Sequence, residues 1–84
     1  MRIDKYLKVS RLIKRRTVAK EIVDGGTVSI NGKDAKPSSE IKVGDQVFLR
    51  LGKHRILFEV LAISENATKA SSSEMYKIIK DEVV

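Results

Sequence analysis

Cysteine and tryptophan are absent from this 84-residue chain, proline and histidine occur once each, and four residues are aromatic. Without cysteine there is no disulfide framework and no thiolate metal site, which fits a reducing compartment. The single histidine, His54, falls between Lys53 and Arg55 in an expected turn, and the acids are scattered. No Ser/Cys–His–acid set, nucleotide-binding glycine pattern or metal cluster results. An enzyme, a cofactor and a resident metal are therefore not expected. The five glycines mark turns. No run nears the 18 apolar residues of a membrane span, and the first residues lack the apolar stretch of a secretory signal. A cytoplasmic location is expected, with no membrane partner. So small a chain folds as one domain around a thin core.

What is present is positive charge, and it is localised. The formal net charge is +6. Residues 1–20 carry Arg2, Lys5, Lys8, Arg11, Lys14, Arg15, Arg16 and Lys20 against one acid, Asp4. The remainder nearly cancels. A charge needed only for solubility would be spread out; a localised one points to a polyanion, with nucleic acid ahead of an acidic lipid surface.

The pattern predicts an α+β fold, two short N-terminal helices packed on a small antiparallel sheet, with a possible C-terminal helix. Ile3, Tyr6 and Leu7 share one face of a helix over 3–9, with Asp4 as its expected N-cap. Residues 10–16 form a connector. Thr17 is the expected cap of a helix over 18–24, with a core stripe of Val18, Ala19 and Ile22, ended by Gly25-Gly26. A strand over 27–30 turns at Asn31-Gly32 and returns to Pro37. Strands are expected over 46–51 and 56–63, with Phe48 and Phe58 in the core. Tyr6 is expected in the core with its hydroxyl near the surface. Residues 64–73 read as a polar linker, and Met75, Ile78 and Ile79 as the stripe of a helix from Ser71 capped with Glu74. This divides the chain into an RNA-binding domain with its sheet, 1–63, and a linker with terminal helix, 64–84.

Arg11, Arg15 and Arg16 flank the start of the second helix. Cations at a helix N-terminus oppose its dipole by about 0.3–1 kcal/mol each at exposed sites. A bound phosphate would reverse that penalty through free N–H groups and guanidinium forks. With so few aromatics, the face should read RNA shape and phosphates more than base sequence.

Arg2-Ile3-Asp4-Lys5-Tyr6-Leu7, Ser10-Arg11-Leu12 and Arg15-Arg16-Thr17-Val18-Ala19 together resemble the opening of the αL RNA-binding domain first described in ribosomal protein S-four. Gly26-Thr27-Val28-Ser29-Ile30-Asn31-Gly32, Lys36-Pro37-Ser38 and Lys42-Val43-Gly44-Asp45 continue the resemblance to about residue 50. Many members append this domain to an enzyme, for which no length remains here. Chain length and tail are similar to the stand-alone RqcP type, more than to the heat-shock-protein-15-like type with its basic extension. The resemblance implies binding to a free large (50S) ribosomal subunit and its peptidyl-tRNA, supporting tailing of a stalled nascent chain by the partner RqcH; a monomer is the default expectation for a module that docks on a ribosome. By matching position it implies RNA contacts at Arg2, Lys5, Ser10, Arg11, Arg15, Arg16 and Lys36. Two residues keep a second reading: Arg11 as a partner of Asp4, and Ser10 as a turn residue. Two rival functions also stand. One is a generic structured-RNA binder or RNA chaperone; the other is a protein-interaction module acting through the terminal helix.

Overall fold

The computed structural model describes residues 1–65 and 67–83, without the Lys69 side chain. Helix α1 spans Ile3–Val9 and α2 spans Arg16–Asp24. Strands β1 (Val28–Ile30), β2 (Lys33–Asp34), β3 (Gln46–Leu51) and β4 (His54–Val60) follow. A single helical turn, α3 (Lys69–Ser72), leads into β5 (Tyr76–Val83). The five strands form one antiparallel sheet in the order β2-β1-β3-β4-β5. Asn31 and Gly32 make the β1–β2 turn, both with positive φ (51° and 83°), as a two-residue hairpin that follows the strand twist requires.

The core lies between the helices and one face of the sheet. Ile3, Tyr6 and Leu7 of α1 and Ala19 and Val23 of α2 meet Val28, Val47, Leu49, Phe58 and Val60. Tyr6 stacks on Phe58 at 6.2 Å between ring centroids, and Tyr76 meets Phe58 edge-on at 5.8 Å. Ile3 N–H donates to Ser39 O (2.8 Å) and Asp4 N–H to Pro37 O (3.3 Å), so the loop before β3 is laced to the start of α1.

Several expectations are corrected. The segment expected as a helix from Ser71 is a strand: seven of the eight residues of β5 pair with β4, and Ile79 falls at a register shift. Left alone, β4 would be an open edge, and covering it satisfies a row of backbone groups that a docked helix would leave exposed. The capping box is real but sits a turn earlier, between Thr68 and Ser71. Residues 66 and 84 of the expected linker and tail lie outside the described residues. Helix α2 starts at Arg16, with Arg15 rather than Thr17 as N-cap and no side-chain cap bond. Val18 is exposed, and Val23 takes its place in the core. His54 opens β4 instead of sitting in the turn. Phe48 is exposed, while Phe58 is buried. Asp4 is not a cap but a buried member of the first turn of α1, preceded by Arg2 as N-cap.

The Tyr6 hydroxyl is not near the surface either. It is buried and donates to Met75 O at 2.7 Å. Burial, and secondarily the neighbouring Tyr76, pushes the phenol well above the usual tyrosine range. Deprotonation of Tyr6 therefore opposes folding. The unfolded chain releases this proton near pH 10 and the folded one does not, so stability held below about pH 10 falls above it, by at most about 1.4 kcal/mol per pH unit. Tyr6→Phe should remove that part of the alkaline slope. At neutral pH it should cost only about 0.5–1.5 kcal/mol, since Met75 O still accepts from Leu61 and Ala62 N–H. Urea denaturation at pH 8 to 11 measures both effects.

Candidate nucleic-acid interface

The site is built around one carboxylate. Asp4 is 2% exposed. Its Oδ1 accepts the Lys5 N–H at 2.7 Å. Its Oδ2 accepts from Arg2 Nη2 at 3.1 Å, and Arg16 Nη2 lies 3.6 Å from Oδ1. Residues fourteen apart, one capping α1 and one opening α2, thus have their guanidiniums held by one buried acid, and both side chains stay nearly half exposed (43% and 48%). Each can present its outer N–H groups while its inner ones are occupied.

Arg2, Asp4, Arg16, Thr17 and Lys20 line an open cleft of about 280 Å³ at the start of α2. Arg16 and Lys20 are one turn apart and so face the same way. The first turn of α2 has no acid and its N-cap supplies no side-chain acceptor, so its N–H groups are available to an anion. The cleft combines two forks, an ammonium and a helix N-terminus. That donor set suits a phosphate.

The other expected residues are placed variously. Arg15, at the N-cap, and Lys14 are exposed beside the cleft. Arg11 is exposed and takes φ +63° directly after α1. It does not pair with Asp4, whose partners are Arg2 and Arg16. Lys36 is exposed on the loop laced to α1, its N–H bound by Ser39 Oγ. Lys5 is tied to Glu65 at 3.1 Å. Ser10 is buried and its hydroxyl donates to Leu7 O at 3.3 Å. That placement fits the reading of Ser10 as a turn residue. Lys20 joins the cleft in addition to the expected contacts, and its four-residue spacing from Arg16 is the sequence signal that puts the two on one helix face. The role of Asp4 as organiser had no local spacing to betray it.

Among the described residues no group of three or more His/Cys/Asp/Glu could hold a metal ion, and no helix is long and apolar enough to cross a membrane.

Comparison with known proteins gives the family. Residues 1–47 match the S4 domain family. The chain is 51% identical over 82 residues to the RQC P-site tRNA stabilizing factor of Listeria monocytogenes, covering 98% of this chain and 89% of that one. It is 49% identical to the Bacillus subtilis protein of the same name, covering 98% and 95%. Among solved structures, a trimeric structure of Vibrio cholerae heat shock protein 15 superposes with a TM-score of 0.87 at 34% identity, covering 93% of this chain and 80% of that one. On this evidence the chain belongs to the S4-domain family, in the group that holds the RQC P-site tRNA stabilizing factors and heat shock protein 15.

Proposed function

We propose that this chain is a cytoplasmic, non-enzymatic RNA-binding factor of ribosome-associated quality control. It binds rRNA of the free large (50S) subunit together with peptidyl-tRNA, as a monomer, and supports tailing of the stalled chain by RqcH. The observation that carries this reading is the pair of guanidiniums held by buried Asp4 at the uncapped start of α2. The relatives named for stabilizing a P-site tRNA support the choice of RNA. The mechanism is occupancy. Arg2, Arg16 and Lys20 clamp a phosphate in the cleft, Arg11 and Arg15 extend the contact along the backbone, and Lys36 reaches it from the adjoining loop. Lys5 contributes charge at the margin, after exchanging Glu65 for phosphate.

Arg11 gives a specific test of the site. A non-glycine residue in the left-handed region costs about 1 kcal/mol, and arginine occupies a position that glycine would fill without strain. Arg11→Gly should raise stability by about 0.5–1 kcal/mol and weaken RNA binding severalfold. A gain in melting temperature with unchanged affinity would remove Arg11 from the interface.

The function itself is tested by sedimenting tagged protein through a sucrose gradient of its own cell lysate. Co-migration with free large subunits that retain peptidyl-tRNA is the expected result. Protein spread over all RNA would instead indicate a generic RNA binder or chaperone.

A further inference from the structure

The open face of the sheet carries residues that the helical face does not explain. Strand β3 alternates: Val47 and Leu49 are fully buried, while Gln46, Phe48 and Arg50 point away from the helices. Register places Phe48 between Ser29 of β1 and Leu57 of β4, and Leu57 beside Lys80 of β5. One step along, Arg50 faces Arg55 directly. Like charges opposed across strands are destabilising, by a few tenths to about 1 kcal/mol. Among the described residues neither guanidinium has a carboxylate within 4.0 Å. Glu82 stands opposite Arg55 across β4 and β5 and feels its charge, but its carboxylate is held by Lys80 at 2.7 Å.

The Phe48 ring is 37% exposed and forms a wall shared by two hollows. One, of about 240 Å³, reaches to Arg50 beside Gly26 and Thr27, with Asp34 also in its lining. The other, of about 220 Å³, reaches to Arg55, Leu57 and Lys80, with Glu82 also in its lining. Cations alone would suit any polyanion. A partly exposed ring with a guanidinium in each of the two hollows beside it suits a planar base with its phosphate. An A-form helix keeps its bases stacked inside, so the occupant must be unpaired RNA.

We propose that the sheet face is a second RNA site, in which an unpaired base stacks on Phe48 and the flanking phosphates are held by Arg50 and Arg55. The proposal rests on the reading of the chain as an RNA-binding protein but not on the α2 cleft, which lies across the sheet. One molecule would then hold a structured RNA on its helices and a single-stranded segment on its sheet.

The test uses the full chain and two labelled probes in fluorescence anisotropy at low salt, an oligouridylate of about ten nucleotides and an RNA hairpin. Phe48→Ala should weaken oligouridylate binding about tenfold, Arg50→Ala severalfold, and Phe48→Tyr should restore it, all with hairpin binding within about twofold. Arg16→Ala should show the reverse pattern. Phe48 is exposed and Arg50 opposes a like charge, so neither variant threatens the fold, and thermal melts verify this. Hairpin binding without oligouridylate binding, or oligouridylate binding indifferent to Phe48, overturns the sheet site and leaves the helical site standing. Failure to bind either probe overturns both. Tighter, Phe48-dependent binding of an acidic peptide would assign the face to a protein and so also overturn the proposal.

Discussion

Arg16→Ala should weaken binding to the large subunit by about ten- to a hundredfold while shifting the melting temperature by only a few degrees. The affinity figure follows from losing one charge-assisted fork to phosphate, about 1.5–3 kcal/mol. The small structural effect follows from the geometry around Asp4. Arg16 is the more distant partner, at 3.6 Å, and the carboxylate keeps Arg2 at 3.1 Å and the Lys5 N–H at 2.7 Å. Arg2→Ala should behave differently: it strips the closer partner from a buried acid and should cost stability as well as affinity. Arg16→Lys should restore part of the binding, because an ammonium keeps the charge without the fork. Filter binding to purified large subunits over a salt series measures both terms. Losing one phosphate contact should lower the slope of log K against log salt by close to one.

Truncation after Ser73 should abolish cooperative folding. The missing segment includes Met75, 2% exposed, whose truncation alone is worth about 2–5 kcal/mol. Its carbonyl accepts from Tyr6, Leu61 and Ala62, and Tyr76 packs on Phe58. With β5 gone, β4 becomes an open edge. Together these losses match the whole stability of a domain this size, about 5–15 kcal/mol. A terminal helix packed only loosely, by contrast, could be removed without unfolding the sheet. Circular dichroism melts of the truncated chain decide between the two.

The contrast at the tail shows where sequence reading worked and where it did not. Strand β3 and the Asn31-Gly32 turn follow from local pattern alone, because a short, nearly continuous apolar run and left-handed turn geometry are short-range features. Met75, Ile78 and Ile79 fit a helical stripe as well as a strand. What decides between them is β4, fifteen or more residues earlier, whose edge needs a partner. Phe48 is the opposite case. The alternation of β3 placed it on one side with Gln46 and Arg50, but the apolar density of the strand suggested burial from both sides. The charge of the first twenty residues located the candidate site. Its organisation did not show, because Asp4 and Arg16 meet only after the two helices pack.

The most direct measurement of the central claim is a titration of the isotopically labelled chain with tRNA, followed residue by residue through backbone amide resonances. The account predicts the largest shifts at Arg16, Thr17 and Val18, the free N–H groups of α2, with Arg2 and Lys20 beside them. Shifts confined to β5 and the tail, with the start of α2 unmoved, would contradict it.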